Sequence, residues 1–304
     1  MTTKINIGIV GPGALGCLLA ARLQLAGYAP VLIDYKKDRA SLLNEQGITL
    51  SCHGQTTQLP VKTEFHGNCS ENFDIIVFCV KSYSLDKSIS LCKSLIKNSQ
   101  LALFMQNGIS HLNPELEGAA ACFGSTTEGA NLIETGHVVQ AGQGNTSLGF
   151  LSQASEKKMQ LLELFCNSLK NSGIKTEISA SIKQVIWQKL LINIGINGLT
   201  AIYNCTNGSL LENAEIKARM IKAVEEAEKV AAEYNVNFLK NPQNQVVQVC
   251  KNTAENISSM LQDVRGGRKT EIDAINGALL KLAMKKNLSC PENKRIVEQV
   301  KAIE

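Results

Sequence analysis

The sequence has no run of five or more lysines and arginines, and its net charge is only +4, so it carries no nucleic-acid footprint. That mild positive balance suits an anionic small ligand at most. It also has no C-x-x-C pair: ten cysteines are scattered singly between Cys17 and Cys290, and the four histidines (His53, His66, His111, His137) stand apart from them. Such spacing argues against a structural zinc, and no metal site is expected. Scattered thiols in 304 residues fit a reducing compartment, with members such as Cys79 in DIIVFCV acting as small core residues. Nowhere do 18 apolar residues follow one another, so no transmembrane helix is expected. Internal repeats and low-complexity segments are missing too. What remains is an ordinary globular balance, 44% hydrophobic and 19% charged, which rules out disorder and collagen-like repeats. The length fits one large or two medium domains with cores that need no staples.

The N-terminus needs care. Lys4 followed by the uncharged residues 5–21 resembles a signal peptide, and Leu15-Gly16-Cys17 approaches a lipoprotein cleavage site. A Gly-Pro-Gly inside an apolar targeting segment is unusual, however, and the stretch reads better as a nucleotide-binding turn. A cytoplasmic location is the expectation.

Along the first half, short β-rich runs alternate with helical patterns. Residues 5–10, 30–34, 74–80, 101–106 and 119–125 read as strands, and a helical pattern runs from the glycine-rich turn to Ala26, stopped by Gly27. Alternation of this kind implies βαβ units and a parallel sheet. Residues 137–150, HVVQAGQGNTSLGF, read as a hairpin around a glycine-rich turn, followed by a helix over 155–172 and a strand over 174–178. From Ser181 the pattern is helical: 181–203, 212–234, 243–262, 269–286 and from 291 onward. The predicted fold is α/β, an N-terminal Rossmann-type dinucleotide-binding domain over 1–179 followed by an all-α substrate and catalytic domain over 180–304.

Gly11-Pro12-Gly13-Ala14-Leu15-Gly16 is a G-x-G-x-x-G between a strand and a helix. In that context the glycines serve a tight turn, close approach to a pyrophosphate, and close helix–strand packing, while the helix N-terminus offers free N–H groups. A plain structural turn is the competing reading. Asp34 lies 18 residues after Gly16, where an acidic side chain takes the ribose 2′-hydroxyl of NAD. Yet Lys36, Lys37 and Arg39 follow at once and could hold the 2′-phosphate of NADP, or be solvated loop charges.

In WQKLLINIGINGL, Lys189, Asn193 and Asn197 recur at every fourth position, so one helix face carries a cation and two amides within an otherwise apolar helix. Such groups are costly to bury without partners, and a polar ligand would satisfy them. A snorkelling lysine with interhelical hydrogen bonds is the bland alternative. A second cluster runs from Asn256 through Ser258, Ser259 and Asp263 to Glu271 and Asp273, with Ser258-Ser259 placed within a helix and Glu271 just after a glycine pair. Glu271 there reads either as a ligand contact or as a first-turn carboxylate on the helix dipole.

Taken together, Gly11 to Gly16, Val80-Lys81, Gln106-Asn107-Gly108, Trp187…Lys189…Asn193…Asn197 and Ser258-Ser259-Met260…Asp263…Thr270-Glu271-Ile272-Asp273 resemble the ketopantoate reductases (2-dehydropantoate 2-reductases), in the same order and over nearly the whole chain. The resemblance implies NADPH-dependent reduction of 2-dehydropantoate to (R)-pantoate, a step of pantothenate and coenzyme A biosynthesis. It implies Lys189 as general acid and Glu271 as partner of the substrate hydroxyl or of the lysine. Asn193, Asn197, Ser259 and Asn256 would bind substrate, and Asn107 both substrate and cofactor. The glycine turn from Gly11 to Gly16, with Asp34, Lys36, Lys81 and Glu271, would hold the cofactor. Family members usually carry an arginine just past the second strand, where this chain has Asp34-Tyr35, so NAD(H) stands beside NADP(H) as cofactor. Glu128 in Thr126-Thr127-Glu128-Gly129-Ala130 stands where many relatives have another residue. Two other readings stay open: a related dehydrogenase acting on a different 2-oxo or 3-hydroxy acid, and a non-catalytic NAD(P)-binding regulator. The expected partners are a small 2-oxo acid, no nucleic acid and no membrane. A homodimer could use the apolar face Ile216, Met220, Val224 and Ala227.

Overall fold

The computed structural model describes residues 5–304; Lys4, the charged flank of the signal-like stretch, lies outside them. The chain divides into two compact units, one running to Gln106 and resuming over His111–Ile182, the other formed by Asn107–Ser110 and Lys183–Glu304.

The first unit contains strands β1 (Ile7–Val10), β2 (Val31–Asp34), β3 (Ile48–Cys52), β4 (Gln55–Leu59), β5 (Thr63–Phe65) and β6 (Ile75–Phe78). It continues with β7 (Leu101–Phe104), β8 (Ala120–Thr126), β9 (Gly129–Glu134), β10 (His137–Gly142), β11 (Thr146–Gly149) and β12 (Thr176–Ile178). Its helices are α1 (Ala14–Leu25), α2 (Lys37–Gln46), α3 (Leu85–Leu91), α4 (Lys93–Lys97) and α5 (Glu156–Asn171). Eight strands form one sheet in the order β12-β11-β8-β7-β6-β1-β2-β5. Neighbours from β5 to β8 are parallel, and β11 turns antiparallel to β8. Strands β1, β2, β6 and β7 are buried at every position, as strands covered on both faces must be, which is why they read as unbroken apolar runs. The chain leaves β1 for β2 on one side and later returns to β6 on the other. That reversal opens a crevice at the carboxyl end of β1, beside the glycine turn.

Helix α1 is apolar apart from Arg22 and Gln24 near its end because two sheets cover it. The second sheet, β4-β3-β10-β9, supplies Leu50, Leu59 and Val138 to the core that holds Leu18, Leu19 and Leu23. The β3–β4 hairpin, which the strand pattern does not anticipate, turns at His53 (φ 49°) and Gly54 (φ 75°), the positive pair a two-residue hairpin needs.

Residues 137–150 do form two strands, but these do not pair with each other, which corrects the hairpin expectation. Strand β10 pairs with β9 and β3, whereas β11 pairs with β8 and β12. The turn lies earlier, between β9 and β10, and the glycine-rich stretch is where the returning strand crosses from one sheet to the other. Glu128 fastens that crossing, its carboxylate accepting from Gln140 Nε2 at 3.0 Å and from Gly144 N at 3.1 Å. Its place in the sequence is thereby explained by the bend.

The second unit contains α6 (Ile182–Tyr203), α7 (Ala214–Glu233), α8 (Pro242–Asn252), α9 (Ser259–Arg265), α10 (Asn276–Lys285) and α11 (Pro291–Lys301). The helix expected over 243–262 is two. Thr253 ends α8, and the next residues pair with a neighbouring loop, Asn207 N donating to Asn256 O and Gly208 N to Ala254 O, both at 3.0 Å. The helix expected over 269–286 begins only at Asn276, because Ala274 N and Ile275 N both close a turn onto Glu271 O. Glu226 of α7 caps α11, accepting from Glu292 N at 2.9 Å and Asn293 N at 3.0 Å. The proposed dimer face is also corrected: Met220, Val224 and Ala227 are fully buried inside this unit. Among the described residues only α6 is long and apolar enough to cross a membrane, and 67% of its most apolar window is buried inside the protein.

All ten cysteines are free, and burial pushes the Cys17 and Cys92 thiols up to about 12, which makes them poor nucleophiles. Among the described residues, no three His, Cys, Asp or Glu side chains gather where they could hold a metal.

Candidate active site

Within the helical unit, α6 presents Lys189, Asn193 and Asn197 on successive turns of one face, with Trp187, Leu190, Leu191 and Ile194 buried around them. Lys189 and Asn193 are half-buried, and Asn197 is 7% exposed. Among the described residues, no hydrogen bond engages the Asn193 or Asn197 side chain. Neither amide is sealed from water, so both stay open to a polar ligand that could replace that water.

Lys189 Nζ donates to Asn107 Oδ1 at 2.8 Å, and Asn107 Nδ2 donates to Glu271 Oε2 at 3.0 Å. Three residues spread over 164 positions of sequence are thus joined in one row. The contacts assign the amide: its oxygen faces the ammonium and its nitrogen the carboxylate. Burial lowers the Lys189 ammonium from its ordinary 10.5 to about 8, against the opposing pull of the Glu271 charge. Glu271 is buried in the turn that precedes α10, not in a first helical turn, so the helix dipole does not account for it.

The backbone keeps Asn107 and Glu271 in register. Gly108 has φ +82°, and a Cβ there would stand 2.0 Å from Ala274 O, so only glycine permits the approach. Ile109 N donates to that same carbonyl at 3.3 Å. Sequence reasoning gave Gly108 no role of its own, and its signal was only adjacency to Asn107.

Ser258 and Ser259 separate in role. Ser258 is not inside a helix as expected; it is the N-cap of α9, its hydroxyl accepting from Leu261 N at 3.1 Å and from Thr200 Oγ1 at 2.7 Å. The start of α9 is thereby tied to α6 just past Asn197. Ser259 is exposed at the first position of α9 and Asn256 is exposed in the loop before it, and no hydrogen bond in the described residues joins either side chain to the Lys189 row.

In the α/β unit the glycines divide the labour. Gly11 has φ +101°, and a Cβ would stand 2.5 Å from Val80 Cγ1. At Gly16 a Cβ would stand 2.1 Å from Gly11 O, which sets the close approach of α1 to the strand end. At Gly13 it would meet nothing within 4 Å. Gly13 is also the N-cap of α1 and contributes no side-chain cap, and the first turn holds no acidic residue. Together they leave an open cradle of backbone N–H groups fit for a diphosphate. Pro12 is buried behind the turn, and Ala14 and Leu15 are half-buried beside it.

Beyond the turn, Val10, Ile33, Val80 and Leu91 line an apolar cleft that also includes Asp34, Tyr35 and His66. The Asp34 side chain is wholly buried. Its Oδ1 accepts from Arg39 Nη2 at 2.7 Å and from Lys36 N at 3.1 Å, and its Oδ2 from Arg39 Nε. Asp34 is thus neutralised by the arginine that follows it. Three cations ring the exposed Tyr35 side chain: Arg39 and Lys87 at 5.5 Å and Lys36 at 5.8 Å from its centroid. Lys87 and the cleft walls at His66 and Leu91 had no motif to announce them. Lys81 is half-buried at the start of the short helical turn Ser82–Ser84 that follows β6.

Residues 7–153 match the family described as Ketopantoate reductase PanE/ApbA, and residues 181–304 match Ketopantoate reductase PanE/ApbA C terminal. The chain is 32% identical to a 2-dehydropantoate 2-reductase of Pyrococcus abyssi, covering 95% of this chain and 94% of that one. It is 30% identical to the enzyme of the same name from Pyrococcus horikoshii, over 99% and 98%. Among solved structures, D-mandelate dehydrogenase with NADH and anilino(oxo)acetate is similar at TM-score 0.87 and 25% identity, covering 98% of each chain. A PanE/ApbA family ketopantoate reductase from Ralstonia eutropha shares the fold at TM-score 0.88 and 23% identity, also over 98% of each chain.

Proposed function

The chain belongs to the ketopantoate reductase family, and from that premise we propose that it reduces 2-dehydropantoate to (R)-pantoate with NADPH, Lys189 acting as general acid. The observation that carries the reading is the hydrogen-bonded row Lys189–Asn107–Glu271 beside the open amides of Asn193 and Asn197. The residues that would hold the cofactor are the glycine turn with Gly13 at its open centre, Lys36, Lys81 and the Asp34–Arg39 pair. The reduced nicotinamide supplies a hydride to the substrate carbonyl carbon when bound.

The chain's own part is to manage charge and a proton. As the carbonyl carbon is reduced, negative charge grows on its oxygen, and the Lys189 ammonium meets that charge and gives up a proton from Nζ. Asn107 Oδ1 accepts one N–H of the ammonium and so fixes where Nζ stands. Glu271, by its negative charge, opposes the effect of burial and keeps the ammonium protonated at neutral pH. Asn193 and Asn197 offer amide donors for the substrate carboxylate and hydroxyl, joined by Ser259 and Asn256 from the segment that Ser258 and Thr200 hold beside α6.

NADPH is favoured over NADH because Arg39 cancels the Asp34 charge that would repel a 2′-phosphate, and Lys36 and Lys87 add positive charge beside it. The test is kcat/KM over a panel of 2-oxo acids with each cofactor. 2-Dehydropantoate should lead the panel, and NADPH should exceed NADH by about tenfold or more, an advantage that Arg39→Ala removes along with its charge-assisted contact. Preference for an aromatic 2-oxo acid would instead favour the second reading, which the likeness to D-mandelate dehydrogenase supports.

The lysine also sets a pH dependence. The donor is the protonated form, so the reduction rate should hold below about 8 and fall roughly tenfold per pH unit above it. Folding stability moves oppositely. Between about 8 and 10.5 the unfolded chain binds the extra proton, so stability should rise with pH across that window. Steady-state kcat/KM against pH, which reports the free enzyme's groups, checks the first, and denaturant midpoints at pH 8 and 10 check the second.

A further inference from the structure

Glu271 sits in a turn rather than on a helix, so something must hold that turn. Residues on both sides of Glu271 are fastened to residues 301–304. Thr270 is buried, and its backbone N–H donates to Glu304 Oε1 at 3.0 Å while its hydroxyl donates to the same oxygen. The Thr270 hydroxyl in turn accepts from Ile272 N at 3.2 Å. Glu304 therefore satisfies a buried N–H directly and orients the hydroxyl that satisfies the next but one. Three residues earlier, Lys301 at the end of α11 meets Asp273 Oδ1 at 2.7 Å, a second tether on the far side of Glu271.

The same helix is registered on α6. At Gly198 a Cβ would stand 2.4 Å from Ile296 Cγ2 and 3.8 Å from Ile272 Cδ1, so α11 packs directly on the helix that carries Lys189. Glu226 fixes the other end of α11 by capping it. Helix α11 is thus an arm that rests on the lysine's helix and grips the glutamate's turn.

We propose, on the reading that Glu271 serves the reduction, that Glu304 is a positioning residue for Glu271, holding its turn through Thr270 so that the carboxylate keeps its bond to Asn107. Glu304 touches neither substrate nor cofactor in this role. Exposure of its side chain to water makes the effect moderate rather than abolishing.

The experiment compares Glu304→Ala and Glu304→Gln in the wild-type and Glu271→Gln backgrounds, measuring kcat, KM for the oxo acid, NADPH affinity by fluorescence, and melting temperature. Glu304→Ala should lower kcat about tenfold with NADPH affinity unchanged. Glu304→Gln, which keeps an acceptor for the Thr270 N–H, should stay within about threefold of wild type. In the Glu271→Gln background Glu304→Ala should add no further loss, since the group it positions is already altered. A Glu304→Ala enzyme within about twofold of wild type would overturn the proposal, as would full additivity with Glu271→Gln. If Glu271→Gln is itself fully active, the role given to Glu271 fails and this inference fails with it. If Glu271→Gln is impaired while Glu304→Ala is silent, the Glu304 inference alone fails.

Discussion

Replacing Lys189 with alanine is expected to lower kcat by about 10²- to 10⁴-fold, the range that a positioned general acid contributes. The loss should appear in kcat more than in NADPH affinity, because the glycine cradle belongs to the other unit. Lys189→Arg separates two parts of the role. Arginine keeps a cation near the growing negative charge, yet it does not release a proton near neutral pH. Its rate should therefore remain close to that of the alanine variant, and the fall in rate above pH 8 should vanish from both. One side effect must be controlled for. Removing the ammonium takes away the positive charge that the buried Glu271 carboxylate attracts, so a modest fall in melting temperature is expected beside the kinetic loss. Near-wild-type turnover by Lys189→Ala with intact folding would end the proton-donor assignment.

That row of residues shows how far the sequence could be read. The lysine and the two asparagines were visible because a helix repeats every 3.6 residues, which puts every fourth position on one face. The glycine turn was visible because its spacing has a mechanical reason at each position. By contrast, nothing in the sequence said that Asn107 would link Lys189 to Glu271, since that pairing depends on Gly108 allowing the backbone to approach Ala274 O. Periodicity also ran too far. The pattern over 243–262 is apolar enough for one helix, but loop pairing at Ala254 and Asn256 broke it, and Ser258 started a new one. The glycine-rich stretch near 144 looked like a hairpin turn because local turn signals are silent about which sheet a strand will join. Helix α1 has no polar face for a related reason: its second cover comes from strands up to more than a hundred residues away.

Gly13→Val is expected to leave folding nearly unchanged while weakening NADPH binding by about a hundredfold or more, through loss of access to the helix N-terminus. The three glycines of the turn stand in different surroundings. Gly13 has φ −83° and ψ −171°, extended backbone that any residue adopts, and a Cβ there meets no protein atom within 4 Å. A valine therefore costs the unliganded protein little and can only fill the space a diphosphate needs. Gly16 makes the opposite case, since its Cβ would stand 2.1 Å from Gly11 O, so Gly16→Val should lower the melting temperature before any ligand is considered. Fluorescence titration with NADPH and thermal melting, run on both variants, distinguish the two glycines. A Gly13→Val protein that binds NADPH within about threefold of wild type would show that the cradle lies elsewhere, because no diphosphate could share the space with the added side chain. A Gly13→Val protein that melts far below wild type would show instead that the turn is held by packing at Gly13, against the open surroundings on which its binding role rests.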